Sequence, residues 1–227
     1  MRYNETPDAL VNNRCIDDHE QMNMSNRQYG LYVFGSPSLP WGDYSDILVA
    51  GMTSHLEREN GRLQLERTGP FVPPIALTGI GEIVITDAFR AALEASGLSG
   101  MRFQPVIKKH IVHLNWEVWD KTAPEPQEYP DTGEPEDYIL LKPHDPDLAT
   151  QMGELWEVCL EQHARAERVH RGPGVGDEEI FLIRSSWDGT DWFRAEGLSF
   201  VYVSDKAKIW LEGTVPEWVA LTPSSAR

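Results

Sequence analysis

Residues 79–94 are echoed by residues 197–212 at a constant offset of 118, and this repeat limits the fold more than any other feature of the chain. Gly79, Asp87, Leu93 and Glu94 recur as Gly197, Asp205, Leu211 and Glu212. Ile83, Ile85, Thr86 and Arg90 are matched conservatively by Val201, Val203, Ser204 and Lys208. Each copy carries a β-branched and aromatic run (Ile83-Val84-Ile85, Val201-Tyr202-Val203) suited to a buried strand. Thr86 or Ser204 then stands where a helix N-cap is needed, and Asp87 or Asp205 follows in the first turn, where the helix dipole favours an anion. The first helix is expected to stop before Gly97 and the second near Gly213. Within the helices a large residue changes place, Phe89 with Ala92 in one copy and Ala207 with Trp210 in the other. Positions three apart share a face, so the volume offered to the sheet is roughly kept. Strand-like runs follow, Met101 to Val106 and Glu217 to Leu221, giving two strand–helix–strand units.

Tyr29 to Phe34, Leu63 to Leu65, His110 to Trp119, Tyr138 to Lys142 and Ile180 to Arg184 read as further strands. Asp145-Pro146 supplies an N-cap and a first-turn proline. The stripe Leu148, Met152, Leu155, Cys159 predicts that this helix runs to about Glu167, ahead of Gly172-Pro173-Gly174. Residues 122–138 hold Pro124, Pro126, Pro130 and Pro135, six carboxylates and no Lys or Arg, which argues against any helix or central strand and predicts an exposed loop. The expected fold is therefore α+β, a mixed or mainly antiparallel sheet with about three helices. Residues 1–28 are expected to form a polar arm. Residues 29–227 are expected to form a single domain of two related halves, about 29–120 and 138–227, joined by the acidic loop 122–137.

The 227 residues carry 20 Lys+Arg against 36 Asp+Glu, a net charge of −16, which argues against a nucleic-acid binder held by phosphate contacts. A basic protein is the partner such a surface suits. The longest apolar run, Ile47 to Met52, is far short of the roughly 20 residues of a spanning helix. The start Met1-Arg2-Tyr3-Asn4-Glu5 has no apolar core of the secretory kind, and Cys15 and Cys159 make no disulfide framework. A cytoplasmic protein is expected.

Catalytic and metal motifs are weak. His110 and His113 are three apart on an expected strand and face opposite ways; Cys159 and His163 are four apart on an expected helix but lack further ligands. Asp17-Asp18-His19-Glu20 reads as a solvated charge run, and Gly172-Pro173-Gly174-Val175-Gly176 is followed by Asp177-Glu178-Glu179, which would repel a phosphate. No Gly-x-Ser-x-Gly elbow occurs. No cofactor, metal or catalytic residue is assigned.

Acid-plus-aromatic surfaces remain. Glu125, Glu128, Asp131, Glu134, Glu136 and Asp137, with Tyr129 and Tyr138 as aromatic anchors, compose one docking candidate. Asp188 and Asp191, beside Trp187 and Trp192, compose a second.

The phrase Gly81 to Asp87, with Leu93 and Gly97 to Val106, resembles one in bacterial immunity proteins. Asp191-Trp192-Phe193-Arg194 followed by Phe200 to Leu211 is similar to a second phrase of the same group, the double-CXXCG immunity family and its Imm-type relatives. The resemblance covers about residues 70–106 and 180–221. The paired Cys-x-x-Cys-Gly motifs expected to hold zinc in that family are absent, only Cys15 and Cys159 standing in those regions. What the resemblance implies is a non-enzymatic protein that binds a cognate toxin domain and blocks its active site. The alternatives are a small acidic enzyme assembled around His110 and His113, or an adaptor subunit of a larger assembly.

Overall fold

In chain order the computed structural model contains β1 (Leu31–Gly35), α1 (Ile47–Ala50), β2 (Gln64–Gly69), β3 (Ile75–Leu77), β4 (Ile83–Thr86), α2 (Asp87–Ala95), β5 (Met101–Pro105), β6 (Ile107–His113), α3 (Asp137–Leu140) and α4 (Pro146–Gln151). It continues with β7 (Leu155–Leu160), β8 (Gln162–His170), β9 (Glu178–Ile183), β10 (Trp192–Ala195), β11 (Val201–Ser204), α5 (Asp205–Thr214) and β12 (Ala220–Pro223). The structure describes residues 30–38, 46–53, 58–79, 81–172 and 178–227. The expected N-terminal arm, with Cys15 and Asp17 to Glu20, lies outside them, as do residues 173–177 of the glycine-rich segment.

The fold is α+β, with mixed and antiparallel sheets. A six-stranded sheet runs β12-β1-β11-β10-β8-β9, a four-stranded sheet runs β3-β4-β7-β5, and β2 pairs with β6 in parallel. Both copies of the repeated phrase fold as their residues dictate. Thr86 Oγ1 accepts from Phe89 N at 3.3 Å and Ser204 Oγ from Ala207 N at 3.2 Å, so each hydroxyl satisfies an amide that the first helical turn leaves open. Gly97, at φ +67°, follows the end of α2.

Strand alternation sorts the cores. Ile83 and Ile85 share one apolar cluster with Val201, Val203, Phe34, Val158 and Trp192, so the two large sheets bury a common core with α2 and α5. Val84 turns the other way, toward Leu63, Leu65, Val106 and Leu155, and Tyr202 toward Leu31, Ala164, Leu182 and Phe193. Each fully buried aliphatic side chain contributes about 1.5–3 kcal/mol to this packing. Phe89 and Trp210, the displaced large residues of the two helices, meet each other with ring centroids 5.6 Å apart.

The repeat extends well beyond the phrase that reveals it. Ile75↔Ile85 on β3 and β4 has its counterpart in Trp192↔Val203 on β10 and β11. Ile85↔Trp156 corresponds to Val203↔Tyr32, and Phe103↔Val158 to Leu221↔Phe34. The bonds Val106 N to Leu155 O (3.0 Å) and Ser224 N to Leu31 O (2.8 Å) also correspond. In each sheet the strand–helix–strand unit leaves its two strands parallel, with an antiparallel strand between them: β7 between β4 and β5, β1 between β11 and β12. The sheets therefore cut across the division at 29–120 and 138–227, since β1 belongs to the sheet of the later stretch and β7 to that of the earlier one.

Several local expectations are corrected. The helix begun at Asp145, whose Oδ1 accepts from Leu148 N at 2.9 Å, stops at Gln151 instead of reaching Glu167. Gly153, at φ +70°, turns the chain out of the helix, and Leu155 to Leu160 becomes a strand. The stripe Leu148, Met152, Leu155, Cys159 thus spans two elements. Tyr138 to Lys142 is no strand: Tyr138 and Ile139 are both buried, on the one turn of α3. The strand expected from His110 to Trp119 starts at Ile107 and ends at His113, after which Trp116 packs on Trp119 and Trp119 on Tyr138. No helix among the described residues is long and apolar enough to cross a membrane.

Candidate functional site

The acidic loop is held in place by its prolines. Pro126, Pro130 and Pro135 are half-buried and close a crevice over Leu48 and Tyr138, while Glu125, Glu128, Asp131, Glu134 and Glu136 are exposed. Turns stiffen the segment: Gly133 N donates to Pro130 O at 3.0 Å, and Leu140 N to Glu136 O at 3.0 Å opens α3. Tyr138 points inward, packing edge-on against Trp119 at 6.4 Å with the Lys142 ammonium 3.6 Å over its ring. It is therefore a core anchor of the loop, not a surface one. Tyr129 is 52% exposed, and the same stretch exposes Val118, Leu140 and Leu141 at 72%, 46% and 66%. Five exposed carboxylates thus flank Tyr129, with Leu140 and Leu141 exposed just beyond them. Asp137 is half-buried in the first turn of α3, and Lys142 reaches Glu128 at 3.4 Å.

Asp188 and Asp191 belong elsewhere, in the turn before β10. Asp188 Oδ1 accepts from Thr190 N and Oγ1, and its other oxygen bonds His163 Nδ1 at 2.7 Å; the Thr190 hydroxyl, its amide and His163 together hold this carboxyl below its ordinary value. His163 stands on β8 and Cys159 on β7, so the helical spacing expected for the two does not exist.

Asp191 is buried and engaged on every side. Its Oδ2 accepts from Ser99 N (2.9 Å) and Ser99 Oγ (3.0 Å), its Oδ1 from Ser204 Oγ (2.7 Å), and Lys206 Nζ lies 3.5 Å away. Burial pushes its pKa up, but the hydrogen bonds from Ser204 and Ser99, with Lys206, outweigh that and hold it low. The residue ties the α2–β5 turn to the N-cap of α5 and leaves nothing for a partner to touch. Trp192 is fully buried and Trp187 packs on Phe193 at 6.0 Å, so both serve the core.

A second cluster gathers around His110, which the sequence singled out, and adds Glu66 and His144, which it did not. Glu66 on β2 is buried, its Oε2 without a hydrogen-bond partner among the described residues, and stands opposite His110 in the β2–β6 register. Burial raises its pKa, partly offset by His110 and Lys109. His110 Nε2 meets Lys142 O at 2.8 Å, and its ring lies 6.0 Å from that of His144, whose Nδ1 accepts from Ile111 N at 2.9 Å. His113 and His144 line an open depression of about 350 Å³ with Lys142 and Asp145. Glu66 and His110 do not line it. Among the described residues, no group of three or more His, Cys, Asp or Glu side chains is placed to hold a metal ion.

Comparison of the chain with protein-family models and with curated proteins found no match.

Proposed function

We propose that the protein is an immunity protein that binds and neutralises a cognate bacterial toxin by stoichiometric contact, through the face formed by the acidic loop and α3. The observation that carries this reading is the loop itself: five exposed carboxylates and exposed Tyr129, Leu140 and Leu141 on a backbone pinned by inward-facing prolines. A surface fixed before binding loses little conformational entropy on docking, charge of one sign speeds encounter with a basic partner, and exposed apolar groups slow its departure. The net charge of −16 and the resemblance of the two repeated phrases support the same reading. A toxin with a basic substrate cleft is the partner that fits.

Co-expression with the neighbouring reading frame tests the proposal: rescue from toxicity and co-purification at one-to-one stoichiometry are expected. Failure of both removes it. Replacing Glu125, Glu128, Glu134 and Glu136 with Gln is expected to slow association about tenfold at low salt while leaving the fold intact. An unchanged rate with unchanged salt dependence would take the loop out of the interface.

A second reading, a small acidic enzyme, is favoured by buried Glu66 beside His110. Turnover of a small molecule that is lost in both Glu66→Gln and His110→Ala, with folding kept, would establish it.

A further inference from the structure

Chain order and sheet membership disagree in the same way twice. Reading forward, a strand (β1) precedes a hairpin, a helix and a last strand (β3, β4, α2, β5); reading on, a strand (β7) precedes a second such series (β10, β11, α5, β12). Every cross-strand pair within the first sheet except Met101↔Leu160 recurs in the second, at an offset of 118 for β4 and β5. Yet β1 lies between β11 and β12, and β7 between β4 and β5.

We infer that the chain is a tandem duplication folded as a strand-exchanged pair, in which each repeat lends its first strand to the sheet of the other. The slot between the two parallel strands of each repeat is an interaction site whose partner is a strand of its own kind. An empty slot would leave two facing rows of amide and carbonyl groups unpaired in the middle of a sheet, so neither repeat completes its fold alone.

The side chains carry the same exchange. Trp156, arriving on β7, donates from Nε1 to Asp87 Oδ1 at 2.9 Å at the start of α2, under the Arg90 guanidinium at 4.5 Å. Tyr32, arriving on β1, donates from its hydroxyl to Asp205 Oδ1 at 3.0 Å at the start of α5, with the Lys208 ammonium 5.3 Å from its ring. Arg90 pairs with Glu94 at 2.7 Å and Lys208 with Glu212 at 2.6 Å. Three of the four groups in each set stand 118 residues from their counterparts, and the fourth, the aromatic, comes on the exchanged strand. Each helix thus checks the incoming strand with its first-turn carboxylate. The chain that joins the repeats includes the acidic loop, and no strand of either sheet passes through it.

Insertion of a protease site between Asp131 and Thr132 of the full chain, cleaved after folding, tests the inference. The two pieces should co-elute at the size of the uncut protein and unfold together at a midpoint that rises with protein concentration. Separated in urea, each alone should lack the native sheet signal and regain it on mixing. Pieces that part on the column and each keep a folded spectrum overturn the inference, as do pieces that refold singly. A cysteine pair reads the exchange itself. Val33 and Thr222 are cross-strand partners, one in each piece, so Val33→Cys with Thr222→Cys in a Cys15→Ala/Cys159→Ala background should link the pieces on oxidation. Absence of that link, with β1 bonded within its own piece, refutes the exchange. If the cut protein precipitates, peptide mapping of the oxidised uncut chain gives the same answer.

Discussion

Asp191 and Glu66 are both buried carboxylates, and their surroundings move their pKa values in opposite directions. Asp191 is held below its ordinary 3.8, so the stability it contributes is present above that pH and is lost as pH falls through the folded value. Asp191→Ala strands the Ser99 and Ser204 donors and is expected to cost about 3 kcal/mol, read as a lower urea midpoint at neutral pH and a smaller deficit at acid pH. Glu66 is held above its ordinary 4.5, so the fold is favoured by its protonated form and loses stability as pH rises through the folded value. Glu66→Met removes the buried charge at similar volume. It should raise stability at neutral pH by about 1 kcal/mol, read as a higher urea midpoint, with the gain shrinking toward pH 4.5.

At the scale of elements, the two helix starts share one design with unequal stakes. Thr86→Ala removes a cap worth about 1 kcal/mol. Ser204→Ala should cost more in the same thermal melt, because Ser204 Oγ both caps α5 and donates to Asp191. Phe89 and Trp210 couple α2 to α5, and a double-mutant cycle to Ala at both positions should return about 0.5–1.5 kcal/mol of interaction; additivity would show that the helices do not depend on each other. These starts were legible in the sequence because Thr86, Ser204 and Asp145 act on amides three residues away. The end of α4 was misread because a stripe at helical spacing also fits a helix turning into a strand, and the left-handed turn at Gly153 decides between them. The whole of β2 is buried on both faces, although it reads Gln-Leu-Glu-Arg-Thr-Gly. Arg67 is fully buried there, with its guanidinium donating to the carbonyls of Val49, Thr68 and Phe71. Only Leu63 to Leu65 is expected as a strand there, because no alternation of polar and apolar residues marks a strand buried on both faces.

At the scale of the molecule, the exchange of β1 and β7 explains why one core serves both large sheets. Ile83, Ile85 and Val158 pack with Phe34, Val201 and Val203 in a single cluster, so the repeats should unfold in one cooperative step. A calorimetric trace with two resolved transitions would contradict that. The acidic loop stands apart from this core and rests on Leu48 and Tyr138, so its charges can be altered without touching the exchanged strands. Association kinetics and stability are therefore separable measurements on this protein.

What the amino-acid sequence determined by itself was local. It specified two strand–cap–helix junctions, the α+β class and a proline-rich segment with its carboxylates in solvent, because each rests on contacts among residues near one another in the chain. Tertiary structure alone decided that Tyr138 turns inward, that Asp191 is a joint inside the fold, and that buried Glu66 stands opposite His110 in the β2–β6 register. It also decided which sheet receives β1 and which receives β7. A strand's own residues encode that it must pair, through its backbone groups and its buried face; the identity of its neighbours is settled only when distant segments meet.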